Sequence, residues 1–315
     1  MAHPNILFCT QEPKTTEKVQ SKSLSNDRSV KNQQGRVENI LRIEELSKAP
    51  DGFLEHDPED AQFHRAFQAA CTSEFQFGYF AIYRDEHRIS IVPYFLMDFA
   101  LNTMLPEGFL KKLFDRLAGG LKLKVACVGH PSSDFGRIHG EISAEVLELV
   151  NQQLFKKSKL VAYKGFSKDL PLKGYVQVPG LPVALLTIKG DYWSQLRSNP
   201  RHQIKKKLKQ AQYLRIEECD FISSVQVQKI YELYLNTYQR AVVKLEKLNL
   251  PYFAETASIS KYLLFYEGEN MIGFCQLFRK KPRVTFRYIG LDYERSQKYG
   301  VYFFTLYKSN RILFA

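Results

Sequence analysis

No stretch of the chain is long and apolar enough to span a membrane as a helix. Apolar runs such as 92–96 are strand-length, against the roughly 18 residues that a span needs. A secretory leader is not expected, because the apolar run at 5–9 is far too short and no basic segment precedes it. The five cysteines, Cys9, Cys71, Cys127, Cys219 and Cys275, are odd in number, scattered and without C-x-x-C spacing. That pattern argues against a disulfide framework or a zinc ribbon and points to reduced thiols in a cytoplasmic protein. The seven histidines are equally dispersed. His130 and His139 flank a polar loop, but no helical His-x-x-x-His or partnering carboxylate provides metal geometry, so no metal is expected. Ser-His-Asp and Cys-His arrangements for covalent catalysis are missing. RNP-type aromatic motifs, zinc fingers and helix-turn-helix signatures are missing too, which speaks against sequence-specific nucleic-acid binding.

What is present is a chain of 315 residues with 44% hydrophobic content, enough for two domains with real cores. Much of the net charge of +12 is concentrated in one segment: residues 201–209 carry five full positive charges and no acid. Ser198 or Asn199 is expected to cap a helix with Pro200 in its first turn. Ile204, Leu208 and Ala211 then share one stripe, which leaves Arg201, Lys205, Lys206 and Lys209 outward. Such a face is either ordinary solvated surface or an attractor of phosphate, whether in RNA, a nucleotide-bearing cofactor or an anionic acceptor.

Three regions follow along the chain. Residues 1–40 are polar, with too few apolar positions to offset the entropy of ordering, and are expected to be a disordered tail. Residues 41–175 read as a first α/β domain. Helices are expected at 58–72, 106–118 and 142–155, and strands at 77–83, 87–95, 122–128 and 160–163. Residues 176–315 form the second domain, which opens with strands at 175–178 and 185–188. A helix near Asp191 containing Trp193, the basic helix, a strand at 214–218 and a long helix at 223–244 come next.

The most telling stretch is 262–310. Strands at 262–266, 271–279 and 284–291, joined by turns rich in Gly, Asn and Pro, specify a meander. It feeds a polar loop, Gln297-Lys298-Tyr299-Gly300-Val301-Tyr302, and then a helix, whose first N–H groups could receive an anion. Taken alone, these residues also fit an ordinary strand-loop-helix corner in which Gly300 serves a tight turn.

A meander whose last strand runs through a Gln/Arg-x-x-Gly-x-Gly/Ala loop into a helix resembles the acyl-CoA site of the GNAT superfamily of N-acyltransferases. Gln297 and Gly300 match the first two motif positions, and Tyr302 stands where the family has a small residue. The passage from Trp193 to Leu196 and from Arg201 to Lys206 is similar to the "W-x-x-L…R-x-x-I-x-K/R" of tandem-GNAT acyltransferases related to the Fem peptidyltransferases. The resemblance implies an α/β (α+β) fold of two GNAT-like domains, each a mixed, mostly antiparallel sheet flanked by helices. The second is expected to be C-terminally incomplete, since Ala315 falls inside the helix that follows the loop. It also implies acyl-CoA as donor, held by Leu291 and by the loop from Gln297 through Lys298, Tyr299, Gly300 and Val301 to Tyr302, with a small-molecule or peptide amine as acceptor. A backbone N–H near 288–291 would meet the oxyanion. Asp292 and Glu294 are the nearest carboxylates to relieve an ammonium of its proton, and Tyr293, Tyr299 and Tyr302 either donate protons or pack.

Three functions are compatible with this reading. One is an acyl-CoA-dependent N-acyltransferase. Another is an aminoacyl-tRNA-dependent peptidyltransferase of Fem type, with Arg201, Lys205, Lys206 and Lys209 on tRNA phosphates. The third is a non-catalytic binding module on a degenerate GNAT fold.

Overall fold

Strands form where the sequence alternates or runs apolar between short polar turns, and helices where apolar residues recur at three- and four-residue spacing. The computed structural model describes residues 5–9, 40–70, 75–100, 122–166, 169–180, 183, 187, 191, 193–241, 247–280 and 283–305. The expected helix at 106–118 lies outside them, as does nearly all of the strand expected at 185–188. The chain is mixed α/β and divides into two compact units, Met1–Lys48 with Glu74–Ala184, and Ala49–Ser73 with Leu185–Ala315.

In the first unit, β1 (Asn5–Cys9), β2 (Leu41–Leu46), β3 (Phe75–Arg84), β4 (His87–Ala100), β5 (Lys122–Val128), β7 (Leu160–Phe166) and β8 (Val176–Pro179) form one mixed sheet. Its order is β2-β3-β4-β5-β7-β1-β8, and the two-residue β6 (His139–Gly140) pairs with β4. Every pairing is antiparallel except β5 with β7, which run parallel from Val125↔Leu160 to Val128↔Tyr163. A parallel pair needs a crossover, and α2 (Ala144–Lys157) lies between β5 and β7 in sequence. Ser143 caps it by accepting from the Val146 N–H at 3.3 Å, and Val146, Leu147, Val150 and Leu154 pack on Phe80, Ile82, Val128 and Tyr163. Residues 5–9, read from composition as part of a disordered tail, are instead a strand between β7 and β8. The short apolar run finds sheet partners that composition does not reveal. Residues 10–39 lie outside the described residues.

In the second unit, β9 (Arg215–Cys219), β10 (Ser260–Glu267), β11 (Asn270–Lys280) and β12 (Arg283–Leu291) form an antiparallel sheet in the order β12-β11-β10-β9. One face carries Leu263, Phe265, Ile272, Cys275, Leu277 and Leu291, covered by Ala211, Val301 and Phe304. The other is aromatic. There α4 (Ser224–Arg240) and α5 (Leu250–Glu255) supply Tyr234, Tyr252 and Phe253, whose rings meet Phe274 and Tyr288 at 5.5–5.9 Å. The helix α1 (Ala61–Ala70), expected at 58–72, also belongs to this unit. Its Phe63 ring lies 5.2 Å from Phe278 and its Phe67 ring 5.7 Å from Tyr252. At Gly290 a Cβ would stand 2.6 Å from the backbone of Leu233 and Tyr234. Only glycine lets α4 approach β12 this closely.

Buried in the aromatic layer is a polar hub. The Gln276 Nε2 lies 2.9 Å from Thr256 Oγ1, Ser260 Oγ and Tyr262 OH, and Tyr252 OH donates to Gln276 Oε1 at 3.3 Å. Thr256 and Ser260 hydroxyls donate onward to backbone carbonyls, and Gln276→Leu removes the buried amide that joins them to the two tyrosines. The expected loss is about 1–3 kcal/mol in urea unfolding. The single tryptophan, Trp193, belongs to this unit and reports its unfolding by fluorescence. A loss near zero would show that the hub is dispensable.

Candidate functional site

The corner that follows β12 is built differently from the loop expected over 297–302. Asp292 comes directly after the strand, and its carboxylate accepts from the Arg295 N–H at 3.1 Å, capping a short helix, α6 (Tyr293–Tyr299). Gln297, Lys298 and Tyr299 are therefore the last turn of a helix. Polar composition suggested a loop, but Asp at the cap and helix-forming Glu, Arg, Gln and Lys within satisfy a helical turn equally well. The connection shrinks to one residue, Gly300, in the left-handed region at φ 63° and ψ 34°. The Gly300 N–H closes on Gln297 O at 3.2 Å, and its carbonyl accepts from Phe303 and Phe304 N–H at 3.0 and 3.2 Å. Residues 301–305 are helical again. Val301 and Tyr302 thus open a new turn, where the first N–H groups lack acceptors within that turn.

The side chains fix this corner to the sheet. Val301 is fully buried, and Leu291 and Val301 meet over Gly273, where a Cβ would stand 3.1 Å from each. Tyr302 turns outward and is 49% exposed. Glu267, at the β10–β11 hairpin, accepts from Lys298 Nζ at 2.5 Å and Tyr299 OH at 2.6 Å, with Arg295 Nη1 at 3.9 Å. These hydrogen bonds, that of Lys298 foremost, hold the Glu267 carboxyl below the usual carboxylate range, and the Lys298 ammonium is correspondingly raised.

Of the two carboxylates singled out in the sequence, Asp292 is engaged as the helix cap and also lies 3.8 Å from Arg295 Nε. Glu294 is exposed on the first turn of α6. The amide of Leu291, among those expected to face an oxyanion, donates to Thr237 Oγ1 of α4 at 3.2 Å. Thr237 is half-buried. The guanidinium of Arg240 lies 4.4 Å over the Tyr293 ring, tying α4 to the start of α6.

The basic helix, α3 (Ser198–Gln210), roofs the same corner. A Cβ on Gly300 would stand 2.9 Å from Lys207 Cδ, and Lys207 Nζ lies 5.8 Å over the Phe303 ring. The sequence reading missed Lys207, although it sits inside the basic run, because helical spacing alone does not say which lysine meets a distant turn. It also missed Thr237 and Glu267, for which no local signal exists. Lys205, Lys206 and Lys209 are exposed as expected. Arg201 is not: it turns back, Nη2 donating to Leu196 O at 2.9 Å. Neither Ser198 nor Asn199 caps α3; its N-cap is Arg197, with no side-chain bond. The passage around Trp193 is a turn rather than a helix. Asp191 accepts from Trp193 and Ser194 N–H at 3.3 and 3.0 Å, but Arg197 is extended and breaks the run before Pro200.

In the first unit the loop between β5 and α2 is held shut from within. Lys164 Nζ donates to the carbonyls of Pro131, Ser133 and His130 at 2.6, 2.8 and 3.3 Å. Gly136 N–H meets Gly165 O at 2.8 Å, where a Cβ on either glycine would clash with backbone. His130 is buried, stacked on Phe77 at 5.9 Å, and burial pushes the neighbouring Cys127 thiol up to about 12. No three His, Cys, Asp or Glu side chains gather as a metal-holding group among the described residues, and no helix among them is long and apolar enough to cross a membrane. Comparison with protein-family models and with curated proteins finds no match for this chain.

Proposed function

We propose that the chain is an acyl-CoA-dependent N-acyltransferase on two GNAT-like domains, with the donor held at the Gly300 corner of the second unit. The observation that carries this reading is the run β10–β11–β12–α6–Gly300. An antiparallel meander ends at Leu291, and a left-handed glycine opens a new helical turn beside Lys207. The first unit supports it from another side, with its antiparallel run β2-β3-β4-β5, then α2, then the parallel strand β7. The corner offers first-turn amides at Val301 and Tyr302 and a fixed ammonium for phosphate, and the Leu291 N–H would exchange its bond to Thr237 Oγ1 for one to a thioester carbonyl.

In the transfer step the neutral amine attacks the thioester carbonyl. The new N–C bond forms, the C–S bond breaks, the thiolate leaves and the amine proton passes to solvent or a base. Glu294 is the carboxylate open to that role, because Asp292 is occupied in capping α6. Exposure of Lys205, Lys206 and Lys209 favours a second reading, an aminoacyl-tRNA-dependent transferase on the same fold. The two separate by ionic strength: binding through several phosphates weakens steeply with salt, whereas coenzyme A at one corner weakens slightly.

The direct test is a thermal shift with acetyl-CoA and longer acyl-CoAs. Ligand at a hundred times its dissociation constant stabilises by about 2.7 kcal/mol. Gly300→Val places a β-branched residue at φ 63° and against Lys207, and is expected to abolish the shift. No shift with any thioester or with coenzyme A itself would overturn the acyl-CoA reading and leave the tRNA-dependent transferase or a binding module. An unchanged shift in Gly300→Val would move the site elsewhere.

A further inference from the structure

Three arginines among the described residues lie close over tyrosine rings. The Arg42 guanidinium is 4.3 Å from the Tyr83 centroid, that of Arg215 4.1 Å from Tyr266, and that of Arg240 4.4 Å from Tyr293. Stacking uses the face of a guanidinium and leaves its N–H edge able to grip a planar anion through two hydrogen bonds. In two of the stacks the chain supplies that anion itself. Arg42 Nη1 lies 3.6 Å from Glu44, and Arg215 bonds Glu217 and lies 3.7 Å from Glu269. Arg240 is exposed at the end of α4 and has no carboxylate of the described residues within ion-pair range.

The position of the third stack matters as much as its chemistry. Arg240 follows Thr237 on α4 by three residues, about 4.5 Å along the helix axis, and Thr237 Oγ1 accepts from the Leu291 N–H at 3.2 Å. Tyr293 opens α6 two residues after Leu291. The stacked guanidinium therefore borders the amide at which the thioester carbonyl would be received.

We infer that Arg240 is the carboxylate-binding group of the acceptor site, and that the acceptor is an amine of amino-acid class carrying its own carboxylate. The inference rests on the acyl-CoA reading for the reaction and names its acceptor. Arg240 takes no part in the bonding changes: the acceptor nitrogen forms the N–C bond, the C–S bond breaks, the thiolate leaves and the amine proton passes to solvent or a base. Tyr293 is a positioning residue that holds the guanidinium by its face. A phosphate-bearing amine fits less well, because Asp292 and Glu294 flank Tyr293 in the chain and repel a dianion more than a single carboxylate.

The probes are free amino acids, each beside its α-amide, which removes the negative charge at nearly constant size. Thiol release from acetyl-CoA by the full chain is measured with both. Wild type is expected to favour an acid over its amide by about tenfold or more in kcat/KM, carried mainly by KM. Arg240→Gln should bring that ratio near one, Arg240→Lys should restore part of it, and Tyr293→Leu should lower it about threefold. Equal use of acid and amide by wild type, or an unchanged ratio in Arg240→Gln, overturns the proposal and leaves Arg240 as solvated surface. An aminophosphonate preferred over the matching amino acid overturns it in favour of phosphate. Calorimetric titration of the same amino acids without acetyl-CoA separates the inference from the reading beneath it. Neither transfer to nor binding of any amino acid overturns the inference. If acetyl-CoA shifts the melting temperature but no acid is preferred to its amide, the acyl-CoA reading survives and the carboxylate site falls. If an amino acid binds wild type and not Arg240→Gln while no thioester gives a shift, the site stands and the acyl-CoA reading falls.

Discussion

Arg287→Met is expected to destabilise the second unit by about 3–5 kcal/mol, the cost of leaving one partner of a buried ion pair uncompensated. Arg287 Nη1 lies 2.8 Å from Glu59 Oε1, and the two side chains are only 4% and 9% exposed. The guanidinium also lies over Phe63 and Phe278, at 5.2 and 5.6 Å. A β-bulge makes this possible. Gln276 pairs with Tyr288 and Leu277 with Phe286, so Arg287 is the extra residue on β12, and it shares with Tyr288 the face that α1 covers. In regular alternation the two would point to opposite faces. Two further pairs, Asp60 with Lys280 and Asp57 with Arg283, tie the same segment to the ends of β11 and β12. The double variant Arg287→Met/Glu59→Leu removes both charges and is expected to recover a large part of the loss, since an apolar pair of similar size is tolerated in place of a buried ion pair. Denaturant unfolding of the four proteins in the cycle measures this. Strictly additive losses, or a single-variant loss below about 1 kcal/mol, would show that the pair is not a buried anchor.

The second large effect is on acid stability. His64, on α1, is 3% exposed and its ring meets Phe53 and Phe63 edge-on at 5.0 and 5.6 Å. Burial foremost, and then the positive charge of Arg287, lower its pKa from 6.5 to about 3. The unfolded chain therefore binds a proton below pH 6.5 that the folded chain refuses. The neutral imidazole costs nothing in this respect above pH 6.5, and folding loses stability as pH falls from 6.5 toward 3. The slope is about 1.4 kcal/mol per pH unit, and the total across the window up to about 4–5 kcal/mol. His64→Leu should flatten the acid limb across that window while shifting stability at pH 8 by a smaller, pH-independent amount. Urea midpoints for both proteins from pH 8 to pH 4 check this. Parallel curves would mean that His64 is protonated in the fold. Arg287→Met, by removing the nearby positive charge, should raise the folded-state pKa of His64 and so shorten the window from its acid end.

The meander was legible because everything that specifies it is local. The apolar stretches between 260 and 291 are interrupted by Gly, Asn and Pro turns, and the strands fall within two residues of the expected bounds. The long helix α4 was legible for the same reason, since Ser223 and Gln226 form a capping box ahead of its apolar stripe. The corner at 292–300 was misread because a polar stretch between a strand and a helix fits a loop and a capped helical turn alike. Only the Asp292 cap and the left-handed Gly300 separate them. The turn around Trp193 was misread in the opposite sense. A cap residue and helix-compatible side chains are present, but the extended Arg197 ends the run.

By itself the sequence determined the meander and its turns, the long helix α4, the basic helix and the glycine at the corner, all through interactions spanning a few residues. Tertiary structure decided which groups meet. It placed α1 from an early stretch of the chain on the aromatic face of the second sheet, aimed Arg287 at Glu59 through a bulge, and set Lys207 over Gly300 and Thr237 on the Leu291 amide. Those pairings join residues 54 to 228 positions apart. Local pattern cannot encode them, because which distant side chain satisfies a buried charge or an edge amide depends on how whole elements pack.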